Sequence, residues 1–119
     1  MPEESAIDQT VFEELAASTG NDQVFLAELI DTYLADADEL LAQMRGSLGA
    51  HDLEGFRRAA HSLKSNSANF GATGLASQAR ELELMARAGS LDGAAEKVAG
   101  VEDGFARVSA ALRRLRPAA

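Results

Sequence analysis

His61, Lys64 and Ser65 are the residues of this chain whose types and spacing can do chemistry. In a helix, positions i, i+3 and i+4 share one surface patch, so the three side chains would be neighbours. An imidazole with its reference pKa of about 6.5 is largely uncharged near neutral pH, with a nucleophilic nitrogen. Phosphoryl transfer asks a protein for little covalent chemistry beyond such a nucleophile: an open in-line approach, and cations to offset the charge on the phosphate oxygens. Lys64 can supply that charge. Ser65 and, one turn further on, Ala68 are small and leave the approach open. Arg57 lies one turn before His61 on the same side.

Other chemistries find no support. The only other histidine, His51, lies in an expected loop, and the chain has no cysteine, so no zinc site suggests itself. No nucleophile-elbow motif points to a serine hydrolase. No glycine-rich phosphate loop is present, so ATP binding is not expected; Gly100 and Gly104 fall inside a helical pattern.

The elements that must position these residues read as helices throughout. Asp52 can cap a third helix in which Leu53, Phe56, Ala60, Leu63, Ser67 and Phe70 form one apolar seam, with Gly71 as a left-handed stop. At 100° per residue His61 lies roughly 130° from the centre of that seam and Lys64 about 70°, which puts His61 on the solvent flank. A first helix is expected from about Asp8 to Ser18, with Ile7, Val11 and Leu15 on one side. A long second helix is capped by Asn21 or Asp22 and ended by the GSLGAHD stretch, with Gly46 and Gly49 as punctuation. Thr73 can cap a fourth helix with Leu75, Ala79, Leu82 and Ala86 inward. A fifth carries Leu91, Ala94, Val98, Val101, Phe105, Val108, Leu112 and Leu115, and Arg113, Arg114 and Arg116 complement its C-terminal dipole. The expected fold is all-α: an antiparallel up-down four-helix bundle with a short additional N-terminal helix lying across one end. The whole chain, 1–119, reads as a single domain, with 1–6 and 117–119 as disordered tails.

Net charge is −8 but uneven: residues 1–50 carry −10 and residues 51–119 carry +2. No acid occurs from Gly55 to Arg80, whereas Arg57, Arg58, Lys64 and Arg80 are basic. An acidic body argues against nucleic-acid binding, and a local basic patch on it suits an acidic protein surface. The lack of cysteine, of a signal peptide and of any apolar run of about 18 residues points to the cytoplasm and away from a membrane. The helix seams are used up by one bundle, so a monomer is expected.

The string His61-Ser62-Leu63-Lys64-Ser65-Asn66-Ser67-Ala68-Asn69-Phe70-Gly71-Ala72 resembles the signature of the histidine-containing phosphotransfer (HPt) domain family of two-component phosphorelays. The lysine at His+3 and the glycine at His+10 fall as in the family, and Leu82-Glu83 resembles a pair on the family's next helix. The looser resemblance spans nearly the whole chain. It implies that His61 is phosphorylated, on Nε2, and passes the phosphoryl group between aspartates of response-regulator receiver domains; that Lys64 stabilises that group; and that Glu83 orients the ring. From the residues alone, Glu83 reads as readily as a solvated helix residue. The resemblance also implies partner docking around Arg57, Ser65, Ala68 and Gly71, a sensor or hybrid histidine kinase upstream, and Mg²⁺ on the receiver only, with no cofactor here. The chain would then be a phosphoryl carrier rather than a turnover enzyme. One departure is Ser65, where the family most often has glycine, which bears on partner choice. Three rivals remain: the phosphorylated domain of a chemotaxis-type kinase, which shares the His-x-Leu-Lys core; the dimerisation helices of a histidine kinase, which lack support because Ser62 rather than an acid follows His61 and no proline follows; and a non-catalytic four-helix adaptor.

Overall fold

The computed structural model describes residues 6–118, which form five helices and, among the described residues, no strand. Of the expected tails, 1–6 and 117–119, residues 1–5 and 119 lie outside the described residues; Ala6 instead packs against the core, and the Pro117 carbonyl accepts a bond from Arg116.

Helix α1 (Gln9–Ser18) starts where the Asp8 carboxylate accepts the backbone N–H groups of Thr10 and Val11 at 3.0 and 3.3 Å. Its buried anchors are Ile7, just ahead of it, and Phe12, while Val11 and Leu15 are only half-buried. Helix α2 (Gln23–Gly49) is capped by Asp22, not Asn21: the Asp22 side chain accepts from the Phe25 N–H at 3.1 Å.

The end of α2 differs from expectation. The helix runs straight through Gly46, and the chain turns at His51, whose φ is +55°. A Cβ at Gly46 would meet nothing within 4 Å. Gly46→Ala is therefore expected to stabilise the fold by roughly 0.5–1 kcal/mol, because alanine gives up less backbone entropy in a helix interior. A thermal melt showing no rise in Tm would contradict this.

Helix α3 (Leu53–Asn69) is capped by Asp52 and buries Phe56, Ala59, Ala60, Leu63 and Ser67; Leu53, expected in the seam, is exposed. Gly71 follows the C-cap with φ +82°, and its carbonyl accepts the Asp8 N–H at 2.7 Å, which ties α1 to the end of α3. A Cβ there would sit 2.7 Å from the Asp8 carbonyl oxygen. Gly71→Ala combines a left-handed backbone with a clash against main chain, and should cost about 2–3 kcal/mol. An unchanged Tm would remove this tie from the account.

Helix α4 (Thr73–Arg87) begins one residue earlier in its cap than Thr73 suggested: Ala72 is the cap and no side chain closes it. Helix α5 (Ala94–Leu115) starts after Gly93, whose φ is +78°, so Leu91 lies in the preceding loop and packs half-buried against the core. Gly100 and Gly104 face α4: the Gly100 carbonyl accepts from Gln78 Nε2 at 3.3 Å, and a Cβ at Gly104 would lie 2.6 Å from Gln78 Oε1.

Helix α2 packs on α3 and α5, and α4 packs on the same two, so the four enclose one core; α1 leans on α3. Phe56, Ile30, Met44, Leu63, Leu82 and Leu112 fill it. Tyr33 stacks on Phe70 at 4.6 Å between ring centroids, and its hydroxyl bonds Ser67 at 2.8 Å, which satisfies two buried polar groups in the middle of the seam. Burial pushes the Tyr33 phenol up to about 12, which the Ser67 bond only partly offsets. Arg45–Glu102 and Arg116–Asp31 join α2 to α5 at 2.7 and 2.8 Å. Arg116 thus bridges helices, and its backbone is extended rather than helical, whereas Arg113 and Arg114 occupy the last turn as expected.

Candidate functional site

The α3 seam turns Ala60 and Leu63 inward and so sends His61 outward, with its side chain 49% exposed. Lys64, one turn on, leans toward α4. From α4 comes Glu83, at the edge of the inward stripe of Leu75, Ala79, Leu82 and Ala86; its side chain is only 3% exposed. The solvated reading of Glu83 does not hold in the fold, because the α3 side chains cover it.

Glu83 takes three donors. Its Oε2 is 2.7 Å from His61 Nδ1 and accepts from an Arg87 guanidinium nitrogen at 3.2 Å; its Oε1 accepts from Lys64 Nζ at 2.7 Å. Burial pushes the Glu83 carboxyl up, but the bonds from Lys64 and then His61, with the charges of both, outweigh it and hold the group at about 2 against an ordinary 4.5. An ionised carboxylate can only accept, so the proton sits on Nδ1. In the neutral ring the lone pair is then on Nε2, which makes no hydrogen bond among the described residues.

This has a measurable consequence. The folded value is depressed, so the stabilisation from Glu83 is complete above about 4.5 and is lost as pH falls through about 2. Glu83→Gln lacks that titration. The difference in Tm between wild type and Glu83→Gln should therefore shrink as pH falls across this window, followed by circular dichroism. A gap that stays constant would contradict the assignment.

The remaining predicted residues are placed as follows. Arg57 is half-buried and held by Glu54 at 2.6 Å. That bond raises its pKa most, and the charge of Glu83 contributes more weakly. Ser65 and Ala68 are exposed along the His61 stripe. Ala68 also lines a groove of about 440 Å³ with Val11, Leu15, Leu29 and Phe70. Gly71 is buried against Asp8 and shapes the end of α3 without offering surface. Arg87 is a site residue that the sequence analysis does not single out, although a Glu and an Arg four apart on a helix are a recognised pairing signal.

The arrangement is a half-exposed imidazole with one nitrogen fixed by a buried carboxylate, the other free, and two cations beside it. The family model for the Hpt domain matches residues 28–115. The phosphorelay protein LuxU of Vibrio harveyi is 32% identical over 85 residues, covering 71% of this chain and 73% of LuxU. The crystal structure of histidine-containing phosphotransfer protein B (HptB) from Pseudomonas aeruginosa PAO1 superimposes with a TM-score of 0.87 at 32% identity, covering 93% of this chain and 94% of HptB. The maize phosphotransfer protein ZmHP2 shares the fold, with a TM-score of 0.79 at 20% identity over 92% and 88% of the two chains. The chain belongs to the Hpt domain family and is a histidine phosphotransfer module of a two-component phosphorelay.

Proposed function

We propose that His61 is the phosphoryl carrier and that it reacts through Nε2. The observation that carries this is the Glu83 bond to Nδ1, which commits the proton to one nitrogen and leaves the other as the nucleophile. The Nε2 lone pair attacks the phosphorus of a receiver phospho-aspartate. The P–N bond forms as the P–O bond breaks, and the aspartate leaves as a carboxylate. The ring keeps its Nδ1 proton and becomes positively charged, and Glu83 faces that charge, as a preorganised dipole should. Lys64, 29% exposed, can turn one of its three donors to the phosphoryl oxygens. Reversal of these steps on a second receiver returns the ring to neutral. The Mg²⁺ belongs to the receiver on this reading, and this chain contributes no metal ligand.

Helices α2 to α5 are read as an antiparallel up-down bundle with α1 across one end; the short connections and the ring of helix contacts support this. The partners are response-regulator receiver domains and, upstream, a sensor or hybrid histidine kinase. Ser65, Ala68 and Arg57 border the docking surface, and the acid-free stretch from Gly55 to Arg80 suits an acidic receiver pocket. No helix among the described residues is long and apolar enough to cross a membrane, and the proposed setting is the cytoplasm, as a monomer.

Incubation with a phosphorylated receiver domain tests the reading. Label that appears on this chain and is acid-labile and base-stable is the expected result. Labelling only by a kinase ATP-binding domain would favour the chemotaxis-type alternative, and labelling by no donor would leave a helical adaptor.

A further inference from the structure

Glu83 has one partner that the carrier reaction leaves without a task. Arg87 bonds the same Oε2 that takes His61 Nδ1, and its side chain is 57% exposed. Lys64 holds the other oxygen. If Lys64 turns to a phosphoryl group on Nε2, Glu83 loses that donor at the moment a dianion arrives nearby. A carboxylate only 3% exposed cannot call on water to replace it. Two outcomes would then compete: Lys64 stays on Glu83 and leaves the phosphoryl group uncompensated, or Glu83 lets go of the ring.

We propose that Arg87 is a positioning residue: the standing counter-ion that holds Glu83 on His61 Nδ1 while Lys64 turns to the phosphoryl group. The inference rests on His61 being the carrier. Three features support it. Arg87 lies on the same helix as Glu83, one turn on, so its bond does not depend on what α3 side chains do. A guanidinium stays charged at every working pH. Lysine, by contrast, carries its three donors on a flexible stem, which suits the partner that must move. The sequence thus divides the two cations between helices: the mobile one beside the histidine on α3, the fixed one beside the carboxylate on α4.

The test compares wild type, Arg87→Gln and Arg87→Lys in transfer from a phosphorylated receiver at increasing receiver concentration, with Tm as a check on folding. Arg87→Gln is expected to lower the maximal rate by about five- to tenfold, the scale of one charge-assisted bond to a half-exposed partner. Arg87→Lys keeps the charge one turn from Glu83 on a more flexible stem and should recover part of that loss, to a rate between wild type and Arg87→Gln. In ¹⁵N spectra of the ring, the His61 Nδ1–H signal of Arg87→Gln should match wild type before phosphorylation and depart from it after. A wild-type maximal rate in Arg87→Gln would overturn the proposal. So would a change confined to the half-saturating receiver concentration, which would make Arg87 a docking contact instead. Failure of the wild type to accept label from any receiver would overturn the carrier reading itself, and is seen before any variant is compared.

Discussion

His61→Gln is expected to take no phosphoryl group from a phosphorylated receiver, a loss of roughly a thousandfold or more, while folding as the wild type does. Glutamine fills similar space but has no nucleophilic lone pair on nitrogen. The side chain is half exposed, and Glu83 keeps Lys64 and Arg87 as partners when the ring is gone. The expected change in stability is therefore within about 1 kcal/mol, as for other surface substitutions. His51 offers no substitute. It sits in the turn after α2 with φ +55°, and no carboxylate is bonded to its ring among the described residues. Full labelling of His61→Gln would move the reaction elsewhere on the chain.

Glu83→Ala comes next in size. It removes the acceptor that fixes the ring tautomer and the charge that faces the ring as it becomes cationic. Partners that hold the far nitrogen of a metal-bound histidine typically contribute 10- to 100-fold, and by analogy the same range is expected here, roughly 10-fold for Glu83→Gln and 100-fold for Glu83→Ala. The order follows from chemistry: a glutamine oxygen can still accept from Nδ1 but carries no charge. Stability should fall by only about 1–2 kcal/mol, because the three donors released are each partly exposed and can turn to water. Equal transfer rates in all three proteins would show that the bond has no part in the reaction.

Much of this arrangement was legible in the sequence, because its causes are local. Asp52 and, of the pair Asn21 and Asp22, Asp22 stand where side chains can close a first turn, and each does so, while Asp8, expected as the first residue of its helix, is the cap just ahead of it. The 3-4-3 spacing of α3 places Phe56, Ala60, Leu63 and Ser67 inside, which forces His61 out. Gly71 marks the end of that helix through its own backbone freedom. The misreadings are also physical. Thr73 had the right type for a cap, but the chain leaves Gly71 already bent, so Ala72 takes that position. Gly46 has the residue type that punctuates a helix end, yet glycine in a helix costs less than tertiary packing returns, and Leu41, Met44 and Leu48 pack on either side of it.

The state of Glu83 could not be read from the chain alone. Its burial depends on two side chains that precede it by 22 and 19 residues, and on the close packing of α3 against α4. A carboxylate at the edge of an apolar stripe looks the same in sequence whether it faces water or a lysine. Arg87 was within reach, since its pairing with Glu83 is a local i, i+4 contact; what singles it out is the shared Oε2, which only the fold reveals.

The most direct test of the central claim is to identify the phosphorylated nitrogen. Chain labelled with ¹⁵N in its histidine rings would be phosphorylated by a receiver domain and followed by ¹⁵N and ³¹P NMR. The account predicts phosphorus coupled to Nε2 of His61, with the proton retained on Nδ1, and an unmodified ring for His51. Phosphorus on Nδ1 of His61, or on His51, would contradict it.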